Sequence, residues 1–173
     1  MSAVGTDPFS LVEAAIWRKL EAHAGFAALV GAGRRVKMSV LEPNVMDSTM
    51  DAPELVMIPS GGTVNRPGDG TSSSSESIRQ RYSLGINSDT LSTVDSLRGI
   101  NALKWAILCV FVSGIDTLPD ESSVPLTFVR MVRAMDFQDV FTPQDLIQRN
   151  VRGWRSVIGL EVVMVFDRSF MTA

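Results

Sequence analysis

The stretch that most constrains this chain is GGTVNRPGDGTSSSSES, residues 61–77, set between two strand-like runs at 54–59 and 78–87. A seventeen-residue connection without its own apolar pattern is long for a compact domain. Val64 is its only sizeable apolar side chain, so the segment cannot build a core, and Gly, Pro and Ser favour turns and flexibility. The expectation is a rigid body carrying a long flexible arm. Such anatomy suits an assembly subunit better than an enzyme.

The 173 residues are enough for one domain, 1–173, with a real core. A net charge of -3 is too small to predict strong attraction to nucleic acid or to an anionic membrane. The single cysteine, Cys109, excludes an internal disulfide and fits a reducing cytoplasm. Asp7 and Glu13 interrupt the N-terminal region, which therefore does not read as a signal peptide. Residues 91–112 are the one candidate membrane span, but Asp95, Arg98, Asn101 and Lys104 recur through them. Ionisable groups in hydrocarbon are costly, so this segment reads as a soluble helix and no membrane partner is expected.

Asp7-Pro8 is a helix start, with Asp7 as N-cap and Pro8 at the first helical position; Ser10 and Glu13 offer a capping box as a competing start. Phe9, Val12, Ile16 and Leu20 share one helical face, and Gly31-Ala32-Gly33 closes the element. Residues 36–41 alternate as a half-buried strand, and residues 55–58 form a short apolar one. After the arm, Ile78, Gln80, Tyr82, Leu84 and Ile86 recur with period two. Residues 87–90 open a second helix with buried positions Leu91, Val94, Leu97, Ala102 or Leu103, Ala106 and Val110. Residues 113–123 are a loop, 126–135 a strand, 136–150 irregular, and 154–166 a long strand whose apolar run is interrupted by Glu161. The order α-β-β-β-α-β-β predicts an α+β two-layer sandwich. Its sheet would be mainly antiparallel, of about five strands, with two helices on one face.

Chemistry is sparse. His23, the only histidine, reads as a surface or packed residue, and Cys109 as a buried, inert thiol. One His and one Cys exclude a structural zinc site, and no cofactor is expected. Asp47, Asp51 and Glu54, and likewise Asp116, Asp120 and Glu121, lack calcium-loop spacing and read as solvated loop charge. Gly31-Ala32-Gly33 follows a helix and precedes a strand, the reverse of a dinucleotide fingerprint. No P-loop, nucleophile elbow or triad is present, so the chain is not read as an enzyme. Arginines recur in scattered pairs, a pattern that fits a protein interface or a solvated strand edge.

The order of elements, the strand Gln80-Arg81-Tyr82-Ser83-Leu84-Gly85-Ile86 and the closing Arg152-Gly153-Trp154-Arg155-Ser156 with Leu160-Glu161-Val162 resemble the tail terminator (tail completion) proteins of long-tailed bacteriophages. The resemblance implies a structural virion protein of the neck, assembled in the host cytoplasm. It implies a homo-oligomeric ring, a hexamer, that caps the tail-tube protein and ends its polymerisation. The ring presents a surface to the head-side connector or stopper protein, with DNA passing through the lumen without sequence-specific binding.

Arg66, Asp69, Arg79, Arg81, Arg130, Arg133, Arg152, Trp154 and Arg155 are the candidate interface residues. Residues 63–75 are expected to order only in the assembled neck. The alternatives are another neck component (a head-completion, stopper or minor tail protein) and a small cytoplasmic ligand-binding α+β domain.

Overall fold

The computed structural model describes residues 7–29, 35–36, 54–65, 75–88, 94–139 and 154–167. Its elements are α1 (Pro8–Glu21), α2 (Ala24–Leu29), β1 (Arg35–Val36), β2 (Glu54–Asn65), β3 (Ser75–Ser88), α3 (Val94–Phe111), β4 (Val129–Asp139) and β5 (Trp154–Asp167).

Helix α1 starts where Asp7 dictates. Its backbone is extended and its Oδ1 accepts the Ser10 N–H at 2.9 Å, satisfying one free donor of the first turn. The capping box at Ser10 is not the start. The helix buries Val12, Ala15, Ile16, Trp17 and Leu20, whereas Phe9, expected on that face, is 40% exposed. The expected single helix up to Gly31 is instead two helices. The His23 N–H bonds to the Leu20 carbonyl, tightening the last turn of α1, and His23 then caps α2. Its carbonyl accepts from the Ala27 N–H and its Nδ1 from the Phe26 N–H at 3.3 Å. The Gly31-Ala32-Gly33 stop lies outside the described residues.

The five strands form one sheet in the order β1-β2-β3-β5-β4. β1 runs parallel to β2, and every other pairing is antiparallel. Of the strand expected over 36–41, only its start coincides with a described element. Cross-strand partners share a face, so one side of the sheet carries Leu55, Met57, Tyr82, Leu84, Ile86, Ile158, Leu160, Val162 and Met164, all buried. Ile100, Leu103, Ala106, Ile107 and Phe111 of α3 and the buried residues of α1 join them in one core cluster. The fold is α+β, with helices against one face of a mainly antiparallel sheet.

The arm needs correction at both ends. Residues 61–65 belong to β2 and residues 75–77 to β3, paired from Gly61↔Arg81 to Asn65↔Ser77. The remainder, with the middle of the segment expected to order only in the neck, lies outside the described residues. The glycines that read as loop have a different use. Gly61 has φ +113° at a register shift after Pro59, a backbone state that favours glycine. A Cβ on Gly62 would lie 2.7 Å from the Arg79 carbonyl oxygen, so only glycine fits that close strand approach.

Three further boundaries differ. β4 runs from Val129 to Asp139 rather than over 126–135, because register shifts at Val129/Met131 and Ala134/Asp136 break the simple alternation. The buried stripe of α3 is centred on Ile100, Leu103, Ala106, Ile107 and Phe111; Ala102 is exposed and Val110 only half-buried. Cys109, expected to be buried, is exposed, since it lies off that stripe. No helix among the described residues is long and apolar enough to cross a membrane.

Candidate assembly surface

The face of the sheet opposite the helices carries three of the arginines that the sequence singles out. On β3 they are Arg79 and Arg81, both exposed, in register with Thr63 and Gly61 of β2 and with Val163 and Glu161 of β5. On β4, Arg133 lies opposite Glu161. Glu161 is therefore flanked in register by Arg81 on one neighbouring strand and Arg133 on the other. It is only 3% exposed, and Arg133 Nη2 donates to its Oε1 at 3.2 Å. A nearly buried carboxylate between two guanidinium-bearing positions is compensated, which explains a charge inside an otherwise apolar strand. Arg133 Nε is buried without a partner.

Around this cluster the face is half-apolar: Met131, Val157, Val163 and Val165 are half-buried and Ile58 is exposed. Arginine and methionine, set here among valines with the exposed Asp136 beside them, are residue types enriched at protein interfaces. Arg130 is exposed at the first register shift of β4. Trp154 and Arg155 open β5 opposite Ser88 and Asn87. Arg66, Asp69 and Arg152 lie outside the described residues. The structure thus brings together Arg79, Arg81 and Arg133 of the candidate set. Glu161 is the member that the arginine survey missed; its signal was the lone acid in the closing apolar run.

Other polar groups shape the fold locally, and two are buried without a partner. Asp120 Oδ1 accepts from the Ser122 and Val124 N–H groups, each at 2.8 Å, and so shapes a turn. Arg18 of α1 donates to the Pro119 carbonyl at 3.0 Å, tying the helix to that loop. Beneath α1, the Tyr82 hydroxyl and Trp17 Nε1 are buried with no hydrogen-bond partner. Burial pushes the Tyr82 phenol upward, with smaller contributions from the charges of Glu13 and Asp7; burial and then Asp7 likewise raise Glu13. Among the described residues no cluster of three His, Cys, Asp or Glu is placed to hold a metal ion.

No protein-family model and no curated protein matches the chain. Among solved structures it is similar in fold to a chain of the virion of a native gene transfer agent particle. The TM-score is 0.58 at 14% identity, covering 93% of this chain and 99% of that one. At this identity the likeness is one of fold.

Proposed function

We propose that the chain is a structural protein of a phage-like virion, and specifically a tail terminator. In this reading it forms a ring, a hexamer by its resemblance to that family, on the last ring of tail-tube protein. The ring stops tube growth and gives the head-side connector a surface to join. The observation that carries the reading is the near end-to-end fold likeness to a chain of a gene transfer agent virion. It is supported by an open sheet face bearing Arg79, Arg81 and Arg133, which fits contact with other proteins better than catalysis. The eighteen-residue α3 favours a terminator over a head-completion protein, which is expected to be richer in strands.

The test is deletion of the coding sequence in a producing strain, followed by negative-stain electron microscopy. Overlong tails free of heads support a terminator. Tails of normal length beside full heads that leak DNA support a stopper and overturn this assignment.

A further inference from the structure

The sheet ends in two unlike borders. On one side β1 pairs with β2 only at Leu55 and Val56. Among the described residues, nothing pairs with the outer edge of β2 from Ile58 to Asn65. That stretch, IPSGGTVN, is exposed throughout and uncharged, and Val64 is 57% exposed. On the other side Ile115 bridges to β4 at Val132. Past that bridge no described residue pairs with the outer edge of β4, where Phe137 is 55% exposed. Two strand edges that no described residue pairs, each with an exposed apolar side chain, are a liability unless something covers them.

Strand polarity says what fits. β2, β3, β5 and β4 each run antiparallel to their neighbour, so β4 runs opposite to β2. A second copy set beside the first in the same orientation brings its β2 antiparallel to the first copy's β4, and the alternation of the sheet continues. Each edge also has one regular stretch beyond its register shift, from Gly61 to Asn65 on β2 and from Asp136 to Asp139 on β4. Antiparallel alignment of these stretches places Val64 opposite Phe137 on the helix-bearing face. On the other face it places Thr63 opposite Gln138 and Asn65 opposite Asp136. Apolar meets apolar, and polar meets polar. Pairing of β2 with β2, or of β4 with β4, can match Val64 with Val64 or Phe137 with Phe137, but each is an isologous contact that closes on a two-fold axis and leaves the other edge unpaired.

We infer that the outer edge of β2 in one copy adds as an antiparallel strand to the outer edge of β4 in the next, through residues 62–65 and 136–139, so that neighbouring subunits share one sheet. The contact joins two different patches head to tail, as a closed ring requires. This inference rests on the ring reading above and names the surfaces that close the ring.

Disulfide trapping in the full-length chain tests it. In a Cys109→Ser background, the pairs Thr63→Cys with Gln138→Cys and Val64→Cys with Phe137→Cys are oxidised mildly and run without reductant. The expected result is a covalent ladder from at least one pair and monomer from each single variant, because the two cysteines meet only between copies. As a second measurement, Val64→Lys or Phe137→Lys weakens association by about tenfold in light scattering with unchanged far-ultraviolet dichroism, and Val64→Lys with Phe137→Glu restores it. Oligomers that neither pair cross-links overturn the junction while leaving the ring reading intact. Single variants that dimerise as fully as the doubles overturn it in favour of like-with-like pairing. A chain that stays monomeric and uncross-linked at every concentration also overturns it, while the tail-length experiment decides the function separately.

Discussion

Lys104, in the middle of α3, holds Asp139 at the far end of β4, with Nζ 2.9 and 3.0 Å from the two carboxylate oxygens. The same ammonium sits 5.1 Å from the centre of the Phe137 ring, and Ser156 donates to Asp139 at 2.7 Å. One lysine thus fastens the helix layer to the exposed end of the sheet. The Lys104 bond, then the Ser156 bond, hold the Asp139 carboxyl below its ordinary value of 3.8. A depressed carboxyl contributes stability that is present above that ordinary value and is lost as pH falls through the folded one. Asp139→Asn should therefore cost about 1 kcal/mol at pH 7, allowing for the exposure of the carboxylate, and the difference should vanish in acid. Urea denaturation of both proteins at pH 7 and in steps downward from pH 3.8 follows it.

Glu13 has the opposite sign. Burial raises its carboxyl above 4.5, so the folded state pays a penalty at neutral pH that disappears below that value. Glu13→Gln should raise the melting temperature at pH 7 and have little effect at pH 4. Tyr82→Phe, by removing a buried hydroxyl with no partner, should be neutral or stabilising by up to about 1 kcal/mol. A clear loss of stability at pH 7 in either variant would contradict the environment described beneath α1.

Removing the carboxylate between the arginines should be costly. Glu161→Ala leaves Arg81 and Arg133 facing each other across β5 with no acid between them. The expected loss is about 1–3 kcal/mol, toward the lower end because the Arg133 side chain is 41% exposed. A double-mutant cycle with Arg133→Met isolates the coupling, and a value indistinguishable from zero would refute a compensated pair.

Cys109 should react with a thiol reagent in the native protein at one equivalent and without denaturant, since it lies on the exposed side of α3. Reaction only after unfolding would return it to the core, where its place between Leu108 and Val110 had suggested it belonged.

Much of the fold was legible because its signals are local. Asp7-Pro8 starts a helix by capping chemistry, and the alternation from Ile78 to Ile86 marks a strand with one buried face. What was hidden depends on partners distant in sequence. Gly61 and Gly62 read as loop because nothing local reveals that Arg81 and Gln80 lie alongside them. His23 reads as a surface or packed residue because its capping role exists only once α2 forms. The face of α3 was misjudged by a fraction of a turn, enough to put Cys109 inside rather than outside. For the candidate surface, the arginines were visible but their arrangement was not. That Arg81 and Arg133 flank one glutamate follows from strand order, and order is set by packing of the whole sheet.

That order also governs how the molecule is made. β5 lies between β3 and β4, so both hairpin halves wait for a strand translated after either of them. Until residues 154–167 leave the ribosome, the interior seam of the sheet cannot zip, and its bonds span long sequence separations. Nascent chains lacking this stretch should depend on chaperones and be quickly degraded. A frameshift just upstream of Trp154 should then abolish the protein altogether rather than yield a trimmed but working one.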